Sequence, residues 1–301
     1  MRASVIIPAY NAARFLPECL ESVFRQTLAP EEIIVVNDGS RDGTEEVLRS
    51  YGNRLRWWTQ ANAGESASRN RAVKEARGEW IALLDADDSW FPQKLELQAE
   101  ATRNNPSAQW SYGAFIERRE PSGEVRRVTV PHPTLVRRKL GLRNVLHLST
   151  VMIRRDVYLA LGGFDEKIQF GEDWEFWLRL ASRYKSARVS EPLGIYRRHA
   201  GNQSGNYEKT LQSNRELTER VLLRGMHPML ASVRRRTLMG RFYADAAVMA
   251  RQNGDERSAK YMRESFKQWP LPMAVPDKRF KIGAHMLLFG SMKRNPVAAG
   301  E

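Results

Sequence analysis

The first hundred residues switch repeatedly between two hydrophobic patterns. "ASVIIPAY" is a short β-rich run, which predicts a strand. "AARFLPECLESVFRQ" follows, with Phe15, Leu16, Leu20, Val23 and Phe24 spaced along one helix face. "EEIIVVND" predicts a second strand, which ends in the turn cluster Asn37-Asp38-Gly39-Ser40. Thr44 is placed to cap a helix through "EEVLRSY". "RLRWWTQ" predicts a third strand, and "GESASRNRAVKEA" a helix with small residues on one side. "EWIALLDADD" predicts a fourth strand, apolar until its carboxylates. Such strands separated by helices predict a parallel sheet covered on both faces. That is a doubly wound α/β arrangement, whose ligands bind beyond the carboxyl ends of the strands.

Beyond residue 105 the pattern changes. "AQWSYGAFIERRE", "GEVRRVTV" and "LSTVMIRRDV" predict a smaller mixed or antiparallel set of strands. "EDWEFWLRLASRY" predicts an amphipathic helix, with Trp174, Trp177, Leu178 and Ala181 at helical spacing. From residue 206 the chain reads as helices separated by breaks at "HPML" and "QWPLPMAVPD".

Composition narrows the class. A hydrophobic content of 42% indicates a globular chain, and the lone Cys19 excludes an internal disulfide. No window reaches the roughly 18–20 apolar residues of a spanning helix, and the N-terminal apolar run is shorter than a signal segment. The expectation is a soluble cytoplasmic protein. The net charge of +13 is unevenly placed: residues 1–179 balance, whereas residues 180–301 carry 23 Lys/Arg against 10 Asp/Glu. That excess points to an anionic partner for the tail, or to a solvated helical face.

Two common nucleotide signatures, G-x-G-x-x-G after the first strand and G-x-x-x-x-G-K-[ST], are absent. The candidate chemistry lies instead at strand ends. Asp85 and Asp87, two apart at the end of an extended run, are expected on one side of it. Two hard oxygen ligands suit Mg²⁺ or Mn²⁺ with positions left open for a diphosphate; the alternative is a polar turn with Asp88 or Ser89 as a cap. Asp38 is placed to accept from a ribose hydroxyl or a base N–H, or to close an Asx-turn. Pro8, Tyr10 and Asn11 end the first strand, with Asn11 positioned to cap the next helix. Glu172 and Asp173 open the amphipathic helix, as dipole-matched acids or as a general base. Arg197, Arg198 and His199 form either a phosphate-reaching group or an ordinary basic loop.

The order of these blocks carries more than any one of them. "VIIPAYNAARFLPECLESVFRQT", "IIVVNDGSRDGT", "NAGESASRNRAVKEARGEWIALLDADD", "GGFDE", "GEDWEFWLRL" and "YRRHAGNQS" together resemble the inverting glycosyltransferases of family 2, which have the GT-A fold. The resemblance covers residues 3–204 and leaves 205–301 as a basic helical C-terminal region. It implies a nucleotide-diphosphate sugar donor, UDP-linked by default, and a divalent metal. It places Pro8, Tyr10 and Asn11 around the nucleotide and Asp38 on the uracil or ribose; Asn37 stands where the family often has Asp. It brings Arg69 and Asn70 toward the donor, Asp85 beside the sugar and ribose, and Asp87 onto the metal. Asp173 matches the catalytic base, with Glu172 beside it, and His199 matches a position near the metal or diphosphate.

The implied acceptor is a glycan or lipid-linked hydroxyl in surface polysaccharide synthesis. The basic tail, including "RFKIGAHMLLFGSMKR", is then expected either to make peripheral contact with the inner membrane face or to serve as a helical cap or dimer contact. Three rivals are weaker. A sugar-nucleotide nucleotidyltransferase needs a Gly- and basic-rich loop that "PAYNAARF" lacks. Nucleic-acid binding is disfavoured by the charge-balanced first half. A non-catalytic glycan-binding member is disfavoured by the presence of Asp85, Asp87 and Asp173.

Overall fold

Strand β1 (Ala3–Ala9), buried along its whole length, pairs in parallel with β2 (Glu32–Asn37) on one side and β4 (Trp80–Leu83) on the other. Strand β3 (Arg56–Thr59) extends the parallel set beyond β2. Pro8 is tolerated in this central strand for a geometric reason. The Ile6 carbonyl accepts from Leu84, so Pro8, two residues on, faces the same side past the last β4 pair, Ile6 with Leu83. Its missing N–H therefore costs no ladder bond. Helices α1 (Leu16–Phe24), α2 (Thr44–Ser50) and α3 (Glu65–Glu75) connect these strands, and Leu16, Leu20 and Val23 pack against Val5, Ile7 and Val35.

The computed structural model describes residues 1–199, 201–202, 206–252 and 254–270, and the chain divides into two units, Met1–Ala200 and Gly201–Glu301. In the first unit the same sheet continues through β8 (Met152–Arg154), antiparallel to β4, then β6 (Trp110–Arg119), β9 (Ser186–Arg198) and the edge strand β5 (Ser89–Trp90). β6 runs antiparallel to β8 but parallel to β9, and β7 (Val125–Val128) pairs with β6. Parallel pairing is thus confined to the first four strands and the β6–β9 pair. Helices α4 (Lys94–Arg103), α5 (Pro133–Leu140), α6 (Arg155–Ala160) and α7 (Glu172–Arg183) complete the unit. The predicted α7 forms and buries Trp174, Phe176, Trp177 and Leu180.

"LSTVMIRRDV" divides into a single 3₁₀ turn, β8 and the start of α6 rather than one strand. The region 186–198, partly read as a basic loop, is a 13-residue strand. Its pairing with β6 shifts register at Ala114, so no simple alternation marks it.

In the second unit, α8 (Tyr207–Leu217) is followed by α9 (Pro228–Gln252) and α10 (Ser258–Gln268). Ala246, Ala247 and Ala250 let Tyr261 and Met262 pack closely on α9. Arg257 bridges Asp255 and Glu208, and the Tyr207 hydroxyl donates to Asp255, which ties α8 to the turn between α9 and α10. The segment "RFKIGAHMLLFGSMKR" lies outside the described residues. Among the described residues no helix is long and apolar enough to cross a membrane.

Candidate active site

The parallel strands β1, β2 and β4 end side by side, and the segments leaving them carry the acids. Asp85 to Asp88 form a turn rather than a strand end: β4 stops at Leu83, and the Asp88 amide donates to the Asp85 carbonyl at 3.1 Å. The expectation that Asp85 and Asp87 share a strand face therefore does not hold. The turn sends them to different partners. Asp85 Oδ1 accepts from Arg69 at 2.7 Å, and Asp87 Oδ2 stands 3.1 Å from His199 Nε2.

Helix α3 supplies the charge at the centre. Its start is held by Asp38, whose carboxylate accepts from Gln60 Nε2 (2.8 Å), Ala63 N (2.9 Å) and Gly64 N (2.8 Å). The Asx-type turn expected of Asp38 is made by Asn37, which accepts from the Ser40 amide. Asp38 thus spends most of its capacity on the loop before α3 rather than on a ligand. One turn into α3, Arg69 is only 1% exposed and donates to Glu65 (2.7 Å), Asp85 (2.7 Å) and Glu172 (3.2 Å). Burial opposes its charge, but these carboxylates hold it protonated beyond the ordinary arginine range.

One cation among so many acids leaves the carboxylates under-neutralised. Burial, against the pull of Arg69, raises Asp85 to about 6. Burial and the neighbouring Asp88 and Asp85 push Asp87 up to about 8, and burial with Asp173 pushes Glu172 up to about 8. Asp173 is also raised by burial, although Asn144 Nδ2 (2.7 Å) and the Trp174 amide (2.6 Å) favour its charged form. His199 is lowered by burial and stacks on Phe15 at 4.5 Å. Carboxylates perturbed together in one place mark a candidate functional site.

The remaining expected residues divide. Asn70 has no polar atom to spare: it donates to the Phe164 carbonyl and Glu166, and accepts from Tyr158 and the Phe164 amide. Rather than approaching a donor, it fixes the "GGFDE" loop. Gly163 (φ +72°) lies against it, and a Cβ there would collide with Asn70 Oδ1. Asn11 does not cap α1; at φ 48° its Oδ1 accepts from the Arg41 amide and binds the first strand's loop to the second's. Pro8 is buried, whereas Tyr10 stands exposed at the rim. Arg197 is not placed to meet a phosphate: it is buried, donates to the Asp87 carbonyl and Glu120, and stands 2.5 Å from Glu18. Arg198 faces Glu117 at 3.9 Å.

Several residues of the cluster escape sequence reasoning. Glu65 looks like an ordinary first-turn acid. Asn144, His147 and Ser149 lie in "GLRNVLHLST", which has no periodicity to place them. The one available signal was scarcity, since the chain has only five histidines. His147 Nε2 lies 2.6 Å from Asp88, and its ring stacks on Phe115 and Tyr196; burial works against its charge, yet Asp88 raises its pKa.

Among the described residues no group of three or more His, Cys, Asp or Glu forms a ready-made metal-ligand set. Asp87 and His199 nevertheless place one carboxylate oxygen and one imidazole nitrogen 3.1 Å apart. Such a pair fits a dication that takes its other ligands from a substrate diphosphate.

Similarity to known proteins agrees with this architecture. The chain is 26% identical over 285 residues to an uncharacterized glycosyltransferase of Rickettsia typhi, covering 92% of this chain and 85% of that protein. S. aureus TarS 1–349, solved in complex with UDP-GlcNAc, superposes with a TM-score of 0.60 at 19% identity over 95% of this chain and 85% of that one. The mannosyltransferase PcManGT of Pyrobaculum calidifontis, in complex with GDP-Man and Mn²⁺, gives a TM-score of 0.57 at 17% identity, again over 95% and 85%. At such identities the likeness concerns the fold, which is GT-A. The family model for glycosyl transferase family 2 matches residues 4–162, and the chain is a glycosyltransferase belonging to that family.

Proposed function

We propose that this glycosyltransferase moves a sugar, with inversion, from a nucleotide-diphosphate donor to a hydroxyl of a glycan or lipid-linked acceptor in polysaccharide synthesis. The observation that carries the reading is the crowd of carboxylates Asp85, Asp87, Glu172 and Asp173, of which Asp85 and Glu172 meet the buried Arg69. In this reading Asp87 and His199 hold a divalent cation, Mg²⁺ or Mn²⁺. Bound there, the ion supplies counter-charge to the departing diphosphate. Asp85, oriented by Arg69, flanks the sugar and ribose. Pro8, Tyr10 and Asn11 border the nucleoside, and Asp38 shapes that pocket by fixing residues 60–64.

Asp173 is the general base and Glu172 its neighbour. The acceptor oxygen attacks C1 of the sugar as Asp173 takes its proton. The C1–O bond to the diphosphate breaks on the opposite face, and its electron pair leaves with the phosphate oxygen. Burial raises the basicity of Asp173, which helps an acid otherwise feeble toward an alcohol, while the Asn144 bond works in favour of its carboxylate form. TarS is described with UDP-GlcNAc and PcManGT with GDP-Man, and the UDP donor is our default. A thermal-shift panel of UDP-, GDP- and dTDP-sugars with and without Mn²⁺ tests donor class and metal together. Stabilisation by one nucleotide series that requires Mn²⁺ is the expected result; no stabilisation by any series would overturn the reading.

The partner of the second unit in this reading is an anionic lipid surface. On α9, Met229, Leu230 and Val233 are 71%, 59% and 49% exposed, on the same helix as the exposed Arg235 and Arg236. Flotation with anionic liposomes should show salt-sensitive binding, and its absence would remove this partner.

A further inference from the structure

The turn that carries Asp85 and Asp87 is gripped from behind by buried groups. Asp88 is 1% exposed, and its Oδ2 accepts from His147 Nε2 (2.6 Å) and the Ser149 hydroxyl (2.5 Å). Its Oδ1 accepts from the Arg197 amide at 3.1 Å. A carboxylate oxygen accepts, so His147 donates to Asp88 through Nε2–H. Ser149 gives its one hydroxyl proton to Asp88, which leaves Oγ to accept the Asp85 amide at 3.1 Å. The Ser149 carbonyl is itself fixed by the Trp90 indole at 2.7 Å. At the other end of the turn the Arg197 guanidinium donates to the Asp87 carbonyl at 3.0 Å. The His147 ring is held by Phe115 and Tyr196, with centroids at 5.0 and 4.4 Å. One buried carboxylate therefore joins three segments of chain, and a single hydroxyl relays it to the main chain of Asp85.

We propose that Asp88, His147 and Ser149 are positioning residues for transfer: they fix where Asp85 and Asp87 stand toward a donor-bound cation without touching donor or cation. This rests on the metal reading of Asp87 given above. The network spends three side chains on placing one turn. Groups that support metal ligands in this way commonly affect metal affinity or activity by about 10- to 100-fold.

The test measures Mn²⁺ binding in the presence of UDP, from the free-ion electron spin resonance signal, beside kcat, acceptor KM and calorimetric Tm. Ser149→Ala, which removes only the relay, should weaken Mn²⁺ binding by about tenfold or more and lower kcat, with acceptor KM unchanged. His147→Gln retains an N–H donor and should keep most of the binding that His147→Ala loses. Asp88→Asn should match or exceed Ser149→Ala; if it does not fold, Ser149→Ala decides alone. A lowered Tm with Mn²⁺ binding and kcat unchanged in Ser149→Ala overturns the proposal, as does equal damage in both His147 variants through a raised acceptor KM. Asp87→Ala separates the two layers. Unchanged Mn²⁺ binding in that variant removes the metal reading and this proposal with it. Abolished binding there, with normal binding in Ser149→Ala, removes this proposal alone.

Discussion

Two buried arginines flank the Asp85–Asp88 turn, and their surroundings differ in charge. Arg197 meets Glu18 and Glu120, but Arg118 lies 3.6 Å from Glu18, and Arg14 lies 3.2 Å from Glu120. Cations there match or outnumber the acids. Arg69 meets three carboxylates, Glu65, Asp85 and Glu172, with Asp173 next in sequence. The acids respond accordingly: hydrogen bonding from Arg197 holds Glu120 below the usual carboxylate range, whereas burial lifts Glu172 to about 8. A balanced ion-pair cluster can serve as a clamp complete in itself. An unbalanced one is costly until something positive arrives, which is the economy expected of a binding site.

Removing the charge on the unbalanced side should have the largest effect. Asp87→Ala is expected to lower transfer by about a thousandfold or more at millimolar Mn²⁺, measured as nucleotide release with acceptor present. Near-normal turnover would show that the deficit serves something else. Asp173→Asn keeps the shape, leaves one oxygen to accept from either Asn144 or the Trp174 amide, and removes the proposed base. Its kcat should fall by about 10²–10⁴-fold, with the donor Kd from calorimetry within about threefold of the parent.

The third expectation concerns pH. Asp87 and Glu172 titrate near 8 in the folded protein and near 4 when unfolded, so between those values the native state binds more protons. Stability without ligand should therefore fall as pH rises from about 5 to 8.5, and Mn²⁺ with UDP should raise Tm more at pH 8.5 than at pH 5.5. A ligand-free Tm that climbs over the same range would contradict the charge deficit. The smallest effect belongs to the balanced side: Glu120→Gln leaves Glu18 on Arg197 and should cost about 1 kcal/mol by denaturant titration, with kcat within about twofold.

How much of this was legible in the sequence follows the same division. β1, β2 and β4 read correctly because their apolar runs are unbroken and buried, and β3 was read as well although it is a half-buried edge strand. β9 did not, because a shifted register and half-exposed edges erase its period. Asp38, Asp85, Asp87, Glu172 and Asp173 were locatable from their places at strand and helix ends. Their partners were not: Arg69 reaches Glu172 across 103 positions, and Asp88 meets His147 across 59. Adjacency in the chain even misled, since the i, i+2 argument for Asp85 and Asp87 assumed a strand where the backbone turns.

Gly163 shows how unevenly this protein can afford to change. It lies on the chain running into α7, where any side chain would displace Asn70 from its four bonds. Drift among related enzymes that seek new acceptors should pass around that point, through rim residues such as Tyr10. The approach to α7 should stay frozen, however far the sugars handled by its descendants diverge.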